Sequence, residues 1–256
     1  MRSKFIILGC GSSVGVPRID GVWGKCRKNN KKNIRTRCSA AIIKGSNSIL
    51  IDTSPDIKTQ ILSNKIKNIS SVLFTHEHAD QTNGLFELRP FFWKKNKLIN
   101  VYGNLKTINH LKKSQEYLFK KVGIHPPIVK SNVIKSKFNL GIKDEKISFK
   151  TIQVSHGRTN SVVYIFNKLA YISDSNDLSI IRLNVLKNLN YLILDCLKLK
   201  KHPTHFSLNE AIFIHNKLKP NRTILTNLHH DLDYDYLLRK LPKNVLPAYD
   251  GLSLKL

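Results

Sequence analysis

From Thr75 to Gly84 the chain reads Thr-His-Glu-His-Ala-Asp-Gln-Thr-Asn-Gly, with two histidines and an aspartate at alternate positions. No other stretch restricts the fold as strongly. In an extended segment, residues two apart project to the same side. His76, His78 and Asp80 then converge on one point, whereas on a helix successive members would stand about 200° apart. Two imidazoles with a carboxylate suit zinc or manganese, while calcium and magnesium favour all-oxygen cages. The preceding Ser71-Val72-Leu73-Phe74 reads as a short buried strand, which places the triplet in the loop at its carboxyl end. Open α/β sheets bind their ligands there. Two merely solvated loop histidines would need neither Asp80 nor the further ligand-type residues downstream.

Strand-like segments run at 4–8, 39–44, 48–52, 71–74, 99–102, 147–154, 161–166, 169–173, 190–195, 222–226 and 252–255, with helical patterns near 56–65, 104–121, 178–188, 207–218 and 232–240. No linker, repeat or low-complexity tract divides the 256 residues, so one domain spanning 1–256, with an ample core, is expected. The longest apolar run falls far short of a membrane span. The start, Met1-Arg2-Ser3-Lys4 followed by four apolar residues and glycine, lacks the longer apolar region of a signal peptide. Four cysteines without paired spacing suit a reducing compartment, and the expected location is cytoplasmic. The formal charge of +26 raises nucleic acid as a partner. Lysine, asparagine and isoleucine are abundant together, however, and their codons are rich in A and T, so genome composition accounts for much of the excess.

The histidine run resembles the His-x-His-x-Asp-His signature of the metallo-β-lactamase superfamily, and the chain supplies similar landmarks in order. Ser48-Ile49-Leu50-Ile51-Asp52 resembles the first motif, in which an aspartate steadies the histidine loop. Gln153-Val154-Ser155-His156-Gly157 resembles the third, Ala170-Tyr171-Ile172-Ser173-Asp174 the fourth, and Leu225-Thr226-Asn227-Leu228-His229 the fifth. The resemblance implies an α/β (α+β) fold, a four-layer αββα sandwich with two mixed sheets face to face. It implies a first metal on His76, His78 and His156, a bridging Asp174, and a second metal on Asp80 and His229, with His230 the competitor of His229. One departure stands out. The family usually has histidine after the aspartate, and this chain has Gln81, a poorer ligand. The expected cofactor is Zn2+ or Mn2+, one or two ions per chain, with the second site weakened.

Gly9-Cys10-Gly11-Ser12-Ser13-Val14-Gly15-Val16-Pro17-Arg18 and Asn33-Ile34-Arg35-Thr36-Arg37-Cys38-Ser39 narrow the resemblance to the PhnP-like cyclic phosphodiesterases acting on phosphoribosyl 1,2-cyclic phosphate. Gln81, the Leu-Arg-Pro at 88–90 and the Asp-Leu-Asp-Tyr at 231–234 resemble a branch of that group common in α-proteobacteria. Such enzymes carry a structural zinc on several cysteines. Here the corresponding loop keeps only Cys26, one thiolate cannot close a tetrahedral site, and packing through Trp23 is expected instead. Glycine turns let backbone amides face an anion. Ser12, Arg18, Arg35 and Arg37 are therefore the candidate substrate-binding residues, the arginines for a terminal phosphate.

His205 stands just before Ser207-Leu208-Asn209-Glu210, a capping box that opens an amphipathic helix. The resemblance makes it the proton donor, with His202 as competitor, and puts Asp80 beside it as a catalytic residue. The implied reaction is hydrolysis of a small anionic cyclic phosphodiester by a metal-bound hydroxide. A homodimer is admitted. A tRNA 3′-end-type ribonuclease and a glyoxalase II-type thioester hydrolase would use the same metals. The first normally carries a flexible Gly/Pro-rich arm not found in this chain. A metal-bound nucleotide or RNA binder without catalysis would account for Gln81.

Overall fold

The computed structural model of the chain describes residues 3–256. Met1 and Arg2, part of the amino-terminal stretch read above, lie outside the described residues. Strands β1 (Lys4–Gly9), β2 (Ser39–Lys44), β3 (Asn47–Ile51), β4 (Ser71–Leu73), β5 (Ile99–Gly103) and β6 (Val129–Val133) belong to one sheet. Strands β7 (Lys137–Leu140), β8 (Ile147–His156), β9 (Thr159–Phe166), β10 (Leu169–Ile172), β11 (Tyr191–Asp195), β12 (Arg222–Thr226) and β13 (Val245–Pro247) form a second, and β14 (Ser253–Lys255) returns to the first. The spatial orders are β14-β1-β2-β3-β4-β5-β6 and β13-β12-β11-β10-β9-β8-β7.

The central strands are apolar almost without interruption because both their faces are covered. In β1, Phe5 and Ile7 point into the layer between the sheets, while Ile6 and Leu8 point outward. In β11, Ile193 points inward, and Leu192 and Leu194 outward. The outer face of the first sheet packs on helices α1 (Ile57–Ser63), α3 (Arg89–Lys95) and α4 (Leu105–Ser114), through Ile57, Phe92 and Leu111 among others. Between α1 and α3 lies the short α2 (Ala79–Thr82). Helices α5 (Leu208–Leu218) and α6 (Tyr234–Lys240) cover the second sheet through Ala211, Ile214 and Leu237. Three apolar layers between four layers of elements make the αββα sandwich that the resemblance implied. Tyr164 Oη donates to Phe74 O at 2.6 Å and Val162 N to Thr75 O at 2.9 Å, tying β9 of one sheet to the segment leaving β4 of the other.

The strands missed from sequence, β6, β7 and β13, are all edges or neighbours of edges. β6 reads Val-Lys-Ser-Asn-Val, half polar because one side meets solvent. The helical pattern at 178–188 resolves into two short 3₁₀ turns, since Leu183 adopts an extended conformation between them. The pattern at 104–121 ends at Ser114 and is followed by another 3₁₀ turn. No helix among the described residues is long and apolar enough to cross a membrane.

Residues 20–37 form a long excursion held by Arg35 rather than by Trp23, which stays half-exposed. The Arg35 side chain is 1% exposed. Nη2 donates to Leu232 O at 2.7 Å and Asn33 Oδ1 at 3.2 Å, and Nη1 to His229 O at 3.4 Å and Cys26 Sγ at 3.8 Å. A guanidinium with its fixed fork of donors thus joins this loop to the segment after β12. Arg35→Ala strands these carbonyls and is expected to lower stability by about 2–4 kcal/mol, read as a lower urea midpoint. An unchanged midpoint with a raised KM would instead return Arg35 to substrate binding.

Candidate metal centre

The carboxyl ends of β4, β8, β10, β11 and β12 meet at one mouth, and a cavity of about 520 Å³ opens there. The centre begins with Asp52, fully buried at the end of β3 in a left-handed conformation with φ 62°. Its carboxylate accepts Thr75 N at 2.8 Å and Thr75 Oγ1 at 2.9 Å. Burial pushes this carboxyl well above its usual range, and the two Thr75 donors pull the other way. Thr75 Oγ1 in turn lies 3.0 Å from His76 Nδ1. Because the hydroxyl's one hydrogen goes to Asp52, it accepts from His76 Nδ1–H, which leaves Nε2 of His76 as a lone-pair donor.

That Nε2 stands 2.9 Å from His78 Nδ1. Two nitrogens bound to one zinc-like ion at about 2.1 Å stand roughly 3.0–3.4 Å apart, so the pair has the spacing of shared ligands. His156 closes the triangle, with ring centroids 4.9 Å from His76 and 5.1 Å from His78. Its Nδ1 is fixed on Thr204 O at 2.8 Å, which directs Nε2 to the same point. Burial lowers the His76 pKa to about 3, so the ring is neutral and able to ligate. Asp174, just beyond β10, is buried, and its Oδ2 has no hydrogen-bond partner. Although burial opposes its charge, His76, His205 and His156 hold its carboxyl below the usual range. Asp80 at the start of α2 is pushed the other way, by burial and then by the nearby Asp174 charge. Three converging imidazoles, an orphaned carboxylate oxygen and a second carboxylate repelled by the first fit a divalent cation.

His205 also lines this cavity, its ring 4.7 Å from that of His156. Its Nδ1 pairs with Asp195 Oδ2 at 2.9 Å. Burial alone would lower its pKa, but the Asp195 carboxylate overrides this and raises it to about 9. Asp195, at the end of β11, gave no signal in sequence beyond being a polar end to an apolar strand. His202 lines the same wall with a lowered pKa, chiefly through burial and then through His205.

Three expected positions need correction, Arg18, Arg35 and Arg37. His229 lines the cavity, but it clusters with His230 and Asp231, whereas Asp174 clusters with His156 and His205. The residue set against Asp174 is Asn227, whose Nδ2 lies 3.2 Å from Asp174 Oδ1. Beyond it the backbone bonds Leu228 N to Cys10 O and His229 N to Leu197 O, and both Leu197 and His229 line the cavity. Of the four substrate-binding candidates, only Ser12 lines the cavity. Arg18 pairs with Asp20 at 2.5 Å, Arg35 is the buried clamp described above, and Arg37 braces Ser13 O and Asp56. The glycine turn serves close packing. A Cβ on Gly11 would sit 2.8 Å from Arg35 O, and the Gly11 amide donates to Thr36 O. The cations at the mouth are instead Lys106, Arg158 and Lys198, with Lys106 paired to Glu77 at 2.6 Å.

The sequence pattern of the beta-lactamase superfamily domain matches residues 47–229. An octanoyltransferase of Porphyromonas gingivalis is 30% identical over 255 residues, covering 98% of this chain and 51% of that protein. The chain therefore spans about half the length of this curated relative. The crystal structure of a diphosphatase from the PhnP family superposes with a TM-score of 0.90 at 32% identity, covering 100% of this chain and 98% of that one. Zn2+-bound PqqB from Methylobacterium extorquens (TM-score 0.76, 17% identity, 99% and 100% covered) and the short form of human tRNase Z (0.67, 15%, 98% of each) share the fold.

Asp52→Ala removes the acceptor that orients Thr75 and, through it, His76. Zinc affinity, measured by chelator competition, is expected to fall about 10–100-fold. An unaltered affinity would mean that the histidine loop holds its shape without the clamp.

Proposed function

The chain belongs to the beta-lactamase superfamily, and on that premise we propose that it is a metal-dependent phosphodiesterase acting on a small cyclic phosphate such as phosphoribosyl 1,2-cyclic phosphate. The lining of the cavity carries this reading. A cluster of histidines and carboxylates faces Lys106, Arg158 and Lys198, and the apolar side chains present are only Val14 and Leu197. Such a lining suits a multiply charged anion and offers no sleeve for an acyl chain. Octanoyl transfer is therefore the weaker reading for this half-length relative. The 32% identity with a diphosphatase from the PhnP family supports phosphoryl chemistry. Gln81, Leu88–Pro90 and residues 231–234 are the grounds for the narrower resemblance to an α-proteobacterial branch.

His76, His78, His156 and Asp174 would hold a zinc or manganese ion, which supplies Lewis acidity and makes a bound water acidic enough to react near neutral pH. Asp80, which lines the same cavity, would accept a proton from the water. His205, kept charged by Asp195, donates to the leaving oxygen, and the Asp195–His205 pair fixes the ring so that Nε2 faces the cavity. Lys106, Arg158 and Lys198 hold phosphate oxygens away from the scissile bond, the task that the sequence had given to Arg18, Arg35 and Arg37.

A ribonuclease of the tRNA 3′-end type is the second reading, favoured by the +26 charge and the shared fold with human tRNase Z. Turnover of 5-phosphoribosyl 1,2-cyclic phosphate, an aryl phosphodiester and a pre-tRNA, each with zinc or manganese, separates the readings. Fast turnover of the sugar phosphate alone is expected, and cleavage of the pre-tRNA alone would replace it with the second. His76→Ala should abolish turnover. His205→Ala should lower kcat about 10²–10⁴-fold with metal content retained. Full activity in metal-loaded His76→Ala would refute the scheme.

A further inference from the structure

We infer that this centre holds a single divalent ion, and that the carboxamides of Gln81 and Asn227 do for its carboxylates what a second ion would otherwise do. The inference rests on the metal-dependent reading of the site and is indifferent to the substrate.

Asn227 follows β12 in a left-handed conformation, φ 61°, one of the few non-glycine residue types that tolerates it. Its Nδ2 lies 3.2 Å from Ser173 O, 3.2 Å from Asp174 Oδ1, 3.1 Å from Asp195 Oδ1 and 3.1 Å from His205 Nδ1. Three oxygens around one atom fix the orientation of the amide. The opposite flip would press Oδ1 against three acceptors. A hydrogen-bearing amide nitrogen therefore faces Asp174, and such a group donates hydrogen bonds and does not ligate a cation. Gln81 acts in the same way on the other carboxylate. Fully buried, it places Nε2 3.0 Å from Asp80 Oδ2.

The donors divide unevenly as a result. His76, His78 and His156 supply three ligand nitrogens around one point, enough for a zinc-type site with an open position, and Asp174, whose Oδ2 is free, belongs to the adjoining cluster with His156 and His205. Among the described residues, a second ion would have Asp80, the already engaged Oδ1 of Asp174 and the partnerless Oε1 of Gln81, a carboxamide oxygen that ligates more weakly than imidazole. His205 Nδ1 is committed to Asp195, and His229 sits with His230 and Asp231. Carboxylates satisfied by neutral donors remain anchored without another cation.

The test is a metal count by mass spectrometry after equilibration with zinc, followed by dialysis. It is made on wild type and on His230→Ala, because the His229, His230 and Asp231 cluster could retain an ion of its own. One equivalent is expected in the centre of both, and two in Gln81→His/Asn227→His, which restores two imidazoles beside the carboxylates. Two equivalents in both wild type and His230→Ala would overturn the inference. So would a folded double variant that still holds one. If the double variant does not fold, wild type loaded with two equivalents of Mn2+ decides the matter by paramagnetic resonance. Isolated-ion spectra support a single-ion centre, and a spin-coupled spectrum overturns it. No metal in any sample would overturn the metal-dependent reading as well, which keeps the two failures distinct.

Discussion

A carboxylate sealed at the end of β3 governs this molecule. Asp52 grips both the backbone and the hydroxyl of Thr75, and that hydroxyl sets the tautomer of His76. The same threonine's carbonyl accepts Val162 N from the opposite sheet. One residue therefore joins the two halves of the sandwich and aims the first ligand, so the site is stiff for the same reason that the fold is. The left-handed backbone at Asp52 belongs to this arrangement. Backbone strain of this kind is maintained where surrounding contacts over-determine it, which is often at functional sites.

Around that anchor the charges are graded. Histidines lower the pKa of Asp174, burial and Asp174 raise that of Asp80, and Asp195 sustains a charged His205. Groups of opposite tendency within one cavity are suited to divide acid and base roles. The mouth adds the cations Lys106, Arg158 and Lys198.

Much of this was legible in order along the chain. Apolar segments marked the central strands and alternate histidines a candidate chelate, because both patterns depend on local periodicity. The edge strands were not legible, because a strand with one solvated side loses that periodicity. Nor were the roles of the arginines. Arg35 and Arg37 stand in a stretch that resembles a phosphate-binding motif, but neighbouring carbonyls and Asp56 claim both guanidinium groups.

By itself, then, the sequence determined the central apolar strands and the alternate spacing of His76, His78 and Asp80, since each depends on residues close to one another in the chain, and the resemblance to the metallo-β-lactamase superfamily implied the sandwich. Only the tertiary structure decided which group faces Asp174 at the end of β12, that Asp195 stands behind His205, and which cations reach the mouth. Those answers depend on how strands distant in sequence end beside one another.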